Sequence, residues 1–170
     1  MAKKKKHRRE ISVWSLMARL AKLQLRAEAS HDEPAPKEKR DRVLLTYLAA
    51  LDTIASGKHP GNEEWRQLSD AVNTVETLVL RGNLAAREIE PALNAAGAAM
   101  AHAAERYSAG AGMRMDGAGL RALREIIEIY RVAMDGLPEL EIALAQVETQ
   151  ERIVAIASGR IPTDRHVVAI

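Results

Sequence analysis

Apolar residues recur along this chain at spacings of three and four, the period of a helix face, and no stretch alternates as a half-buried strand would. The first run, Val13, Leu16, Met17, Leu20 and Leu23, predicts an amphipathic helix from Ser12 to about Ala29. Ser30-His31-Asp32-Glu33-Pro34-Ala35-Pro36 breaks it with polar residues and prolines. Leu44, Tyr47, Leu48, Leu51 and Ile54 predict a second helix from about Lys39 to Ser56, ended by Gly57-Lys58-His59-Pro60-Gly61. Trp65, Leu68, Val72, Val75 and Val79 form the stripe of a third. Asn62 is its expected N-cap, Glu63 and Glu64 favour its positive end, and Gly82 takes the C′ position.

Asn83 is the expected cap of a fourth element running to Tyr107, with a short turn or a kink where Pro91 removes a backbone donor. The small residues Ala95-Ala96-Gly97-Ala98-Ala99 suit close helix approach. Beyond the Gly110-Ala111-Gly112 loop, Asp116 is the expected cap of a fifth helix. Its residues Leu120, Leu123, Ile127, Tyr130 and Met134 repeat as a coiled-coil seam does. Gly136 ends it and Pro138 opens a sixth, with Leu140, Leu144, Val147 and Val154 as its stripe and Gly159 as its close. Short loops make the later helices antiparallel neighbours. The fold class is all-α, a five- or six-helix antiparallel bundle with a basic N-terminal arm. The arm is residues 1–11, the bundle 12–159, and 160–170 a tail without helical pattern.

Composition narrows what can fill that bundle. At 170 residues one domain can bury a substantial core. With no Phe and aromatics at 3%, that core must be built from Leu, Ile, Val, Met and Ala. The absence of Cys excludes disulfides, thiolate metal sites and a Cys nucleophile. The basic start resembles the front of a signal peptide, but Arg19, Lys22 and Gln24 interrupt the apolar region that should follow. No uninterrupted apolar run is long enough to span a bilayer, and a cytoplasmic location is expected.

Charge changes the picture more. Residues 1–42 carry 13 Lys and Arg against 6 Asp and Glu, whereas residues 43–170 carry 12 against 17. Lys3, Lys4, Lys5, Lys6, Arg8 and Arg9 concentrate the excess in the first nine residues, and Arg19, Lys22 and Arg26 continue it at turn spacing on the first helix. Such a cluster attracts phosphates by counterion release, independently of sequence. DNA, RNA or an acidic protein surface are the expected partners. The same cations beside Trp14 and several leucines also fit an anionic membrane surface, and a basic terminus can serve solubility alone.

Other candidate chemistry is weaker. Glu28-Ala29-Ser30-His31 has the Glu-x-x-His spacing of carboxylate-bridged metal bundles, but no second copy accompanies it, and a solvated helix end explains it better. His102 and Glu105 share a helix turn without a nucleophile nearby, so a partly buried, satisfied His102 is expected. Gly117-Ala118-Gly119-Leu120-Arg121-Ala122 matches a dinucleotide fingerprint literally and lacks the strand that should precede it. Arg114, Arg121, Arg124 and Arg131 could track phosphates, but Glu125 and Glu128 interleave as ion-pair partners of Arg121 and Arg124. No cofactor or metal is expected.

Across about residues 65–158 the chain resembles a loose group of small helical proteins encoded by phages and prophages of Gram-negative bacteria. The basic start and three stretches carry the likeness: WRQLSDAVNTVETLVLRG from Trp65, ALNAAGAAM from Ala92, and LRALREIIEIYRVAMDGLPELEIAL from Leu120. The resemblance implies a mobile-element origin, a helical fold, and binding rather than catalysis; no functional residue transfers with it. The expected function is that of a non-enzymatic interaction protein whose basic arm contacts nucleic acid or an acidic surface. The alternative is a self-assembling bundle, such as a phage scaffold or assembly factor, in which the first helix or the seam of the fifth pairs between copies. An enzyme with an unrecognised site is the third reading.

Overall fold

A computed structural model describes residues 13–57 and 59–160, with Val13, Trp14 and Ser15 described in backbone only. The arm residues Lys3–Lys6, Arg8 and Arg9 and the tail residues 161–170 lie outside the described residues. Six helices and no strand are present among the described residues: α1 (Val13–Glu28), α2 (Lys37–Ser56), α3 (Asn62–Leu80), α4 (Ala86–Ser108), α5 (Gly117–Gly136) and α6 (Glu139–Ala157). The chain is all-α.

The helices surround α3, which touches α2, α4, α5 and α6. Its apolar stripe predicts one buried face, but Leu68–Leu78 is buried on all sides except at Asp70. Central position overrides the amphipathic pattern, so Ser69, Asn73, Thr74, Glu76 and Thr77 are buried with the valines. Hydrogen bonds offset much of that desolvation. Thr77 Oγ1 donates to the Asn73 carbonyl at 2.9 Å and meets Thr149 Oγ1 of α6 at 2.7 Å.

Helices adjacent in sequence run antiparallel, as do α2 and α5 and α3 and α6, whereas α3 and α5, both opposed to α2, run parallel. Arg40 and Tyr47 of α2 meet Asp135 and Tyr130 of α5, and Tyr130 Oη accepts from Gln146 of α6 at 2.9 Å. At the C-cap of α3, Arg81 donates to Glu141 and Glu148 of α6 at 2.6 and 2.8 Å.

Three helix ends follow the sequence closely. Asp116 accepts from the Gly119 N–H at 2.7 Å, as an N-cap should. Gly82, at φ 78°, lets Asn83 N–H reach back to the Leu78 carbonyl at 2.9 Å. Gly159 closes α6 in the same way, with Arg160 N–H on the Ala155 carbonyl.

Two predicted caps are corrected. Asn62 is already the first helical residue of α3, and Gly61 takes the cap position, its N–H donating to Glu64 at 2.8 Å. Asn83 caps nothing; its side chain accepts from Arg81 Nε at 3.1 Å and donates to Glu141 at 3.3 Å, joining a polar girdle around the α3 and α6 ends. α4 starts instead at Ala86 and runs unbroken through Pro91.

The small-residue run of α4 performs the role its composition suggests. A Cβ built on Gly119 of α5 would lie 2.8 Å from the Ala99 methyl, a distance real Cβ atoms essentially never show. The second glycine of the G-x-G-x-x-A match is therefore required by helix packing.

A half-buried polar group sits where α2, α3 and α5 meet. Tyr47 Oη donates to Asp70 at 2.6 Å, and the Tyr47 and Tyr130 rings lie 5.7 Å apart at a tilt of 49°. Burial pushes the Asp70 carboxyl above the usual range, while hydrogen bonds from Tyr47 and Gln150 pull the other way. Burial, with the Asp70 charge beside them, likewise pushes both tyrosines up. A carboxyl whose folded pKa is raised contributes stability below its unfolded pKa and loses it as pH rises through the folded value. Asp70→Asn keeps an acceptor for Tyr47 and cannot ionise. The variant is expected to gain stability relative to wild type as pH rises from acid to mildly alkaline, read from paired melting curves. A constant offset across that range would contradict the assignment.

Candidate interaction surface

α1 lies along α6 in the antiparallel sense, held at two places. Lys22 Nζ bridges to Glu151 at 2.7 Å and Glu148 at 3.6 Å. Beyond the helix end, the linker closes the start of α6, whose Pro138 cap offers no side-chain acceptor for the orphan N–H groups. Glu139 N–H donates to the Glu33 carbonyl at 2.9 Å and Leu140 N–H to the Ser30 carbonyl at 3.0 Å. His31 Nε2 donates to the Arg26 carbonyl at 2.8 Å, closing α1 itself. The proline-containing segment is thus a clasp between two helices.

This mounting turns α1 in an unexpected sense. Its half-buried residues are Ala18, Ala21, Lys22 and Leu25, with the pair to Glu148 and Glu151 on the α6 side. At about 100° per residue, Leu16, Leu20, Leu23 and Ala27 point the opposite way. Leu16 is 51% exposed, Met17 57%, Leu20 53% and Leu23 61%, where an amphipathic helix would bury them. The apolar stripe faces solvent because alanines allow close approach to α6 and Lys22 finds its glutamates there.

The structure divides the three predicted helix cations. Arg19 and Arg26 are exposed along one flank of the leucine stripe. Lys22, with its side chain 24% exposed, is engaged with α6 and does not share that outward surface. Sequence reasoning grouped the three by turn spacing; only the long-range glutamate pair tells them apart. Glu148 is also paired to Arg81, so the acids of α6 nearest α1 are already partnered.

The other candidates come together less well. His102 is exposed, not partly buried as expected, and Glu105 is exposed too. With Arg106 and Asp116, His102 borders a shallow groove of about 190 Å³ over the alanines between α4 and α5. Glu28 accepts from Gln24, so it and His31 are turned to different partners. On α5, ion pairing falls to Arg131, which reaches Glu128 and Asp135, in place of the expected Arg121 and Arg124 pairs. No group of three or more His, Asp or Glu that could hold a metal ion occurs among the described residues. No described helix is long and apolar enough to cross a membrane. Compared with known proteins, the chain matches no family model, no curated protein and no solved structure.

Proposed function

We propose that this protein is a non-enzymatic helical interaction protein that engages an anionic surface through its N-terminal end. The outward face of α1, four large apolar side chains flanked by Arg19 and Arg26, carries this reading. In the sequence the helix follows the cation cluster Lys3–Lys6, Arg8 and Arg9, whose charge alone suggests nucleic acid or an acidic protein surface as the partner. Lys22 stays with the bundle and orients the helix. A cytoplasmic, phage-derived binding protein is consistent with the sequence resemblance.

Deleting residues 1–9 tests the cationic part. Affinity for duplex DNA and for RNA, measured at two salt concentrations, is expected to fall about tenfold or more and to lose most of its salt dependence. Unchanged affinity, or none in the intact protein, would contradict contact with nucleic acid. The exposed leucine stripe also favours a second reading, self-assembly through α1. Light scattering over a concentration series would then show an oligomer that Leu20→Ser dissolves.

A further inference from the structure

We propose that α1 seats the protein on an anionic lipid bilayer, with Leu16, Met17, Leu20 and Leu23 entering the acyl boundary and Arg19 and Arg26 meeting lipid phosphates. This rests on the reading of the N-terminal end as the contact surface, and it names the partner. Two properties must be met together. The stripe is apolar from Leu16 to Ala27, about 16 Å of helix, and the fold itself leaves it uncovered. One flank is cationic, with Arg19 and Arg26 exposed, and in the sequence six Lys and Arg residues precede the helix within the first nine positions.

Nucleic acid and a second copy each use only half of this. Nucleic acid neutralises the cations and leaves the leucines in water. A second copy covers the leucines; packed antiparallel with Leu20 against Leu23, it brings Arg19 of one protomer beside Arg26 of its partner. Packed parallel, the arginine flank meets the side carrying Met17 and Gln24, where the one carboxylate, Glu28, already accepts from Gln24 of its own helix at 3.0 Å. An anionic bilayer accepts both features, since apolar side chains sink below the headgroups while long arginine stems reach back to the phosphates. A polybasic segment beside such a helix supplies the second signal that stable peripheral binding requires. The glutamates of α6 that could repel the lipid are held by Lys22 and Arg81.

Flotation of the full chain with vesicles of phosphatidylcholine alone, and of phosphatidylcholine mixed equally with phosphatidylglycerol, tests the proposal. Binding is expected only to the anionic vesicles. The variant L16S/L20S/L23S, changed at exposed positions and checked for an unaltered melting curve, is expected to bind them about tenfold more weakly or worse. R19A/R26A is expected to weaken binding and reduce its salt dependence. Vesicle binding that the triple variant retains would overturn the proposal. A protein that binds DNA or RNA but no vesicle overturns the membrane and leaves the cationic contact surface standing. Binding to none of the three overturns both. An oligomer abolished by L16S/L20S/L23S, without vesicle binding, assigns the stripe to a second copy and also overturns the membrane.

Discussion

Trp65→Ala is expected to destabilise the fold by about 3–5 kcal/mol, the largest effect of any single truncation considered. Trp65 opens the central helix and is 2% exposed, and its indole N–H donates to the Met100 carbonyl of α4 at 3.4 Å. Alanine removes most of a large buried side chain together with that hydrogen bond. The hole lies between helices already held close by alanines, so collapse can recover little of the loss. Denaturant unfolding measures the effect, with Leu80→Ala as control. Leu80 ends the same helix 57% exposed, and its truncation is expected to cost no more than about 0.5 kcal/mol. A Trp65→Ala loss below about 1 kcal/mol would mean that the start of α3 is not packed as described.

Gly119→Ala is the second large effect, and its sign runs against helix propensity. In an ordinary helical site the added methyl gains up to about 1 kcal/mol. Here it would meet the Ala99 methyl at 2.8 Å and the Asp116 carboxylate, which caps the helix, at 3.2 Å. Neither neighbour is the free end of a flexible chain, so α4 and α5 must move apart, at a cost of about 1–3 kcal/mol. A net loss of about 1–2 kcal/mol is expected, lowering the melting temperature by several degrees. Ala99→Gly supplies a second corner of a double-mutant cycle. Alone it costs about 1 kcal/mol as a helical glycine, but with Gly119→Ala it restores room, so the pair should lose less than the sum of the singles. Additive losses would show that the two positions do not touch.

Six helices and most of their ends were legible because local signals decide them: Asp116, Gly82 and Gly159 occupy positions that only backbone geometry constrains. Asn62 and Asn83 mislead for a different reason. Each is a good cap in isolation, but the Glu64 carboxylate serves the Gly61 N–H, and Arg81 draws Asn83 toward Glu141. The stripe of α3 predicted a two-sided helix because Asn73, Thr74 and Thr77 read as polar; contact with four other helices buries them. The same limit applies at the candidate surface. That α1 is amphipathic is plain from its sequence, but which way its apolar face turns depends on Lys22 meeting Glu148 and Glu151, residues more than a hundred positions away.

The orientation of α1 is the central claim, and the absence of native cysteine makes it directly measurable. Single-cysteine variants Leu20→Cys and Leu25→Cys place a thiol on the outward and α6-facing sides of one helix. In dilute solution without lipid or nucleic acid, Leu20→Cys is predicted to react with a maleimide at nearly the rate of a free thiol, and Leu25→Cys several-fold more slowly. Equal rates, or slower labelling at Leu20→Cys, would contradict an α1 that presents its leucines to a partner.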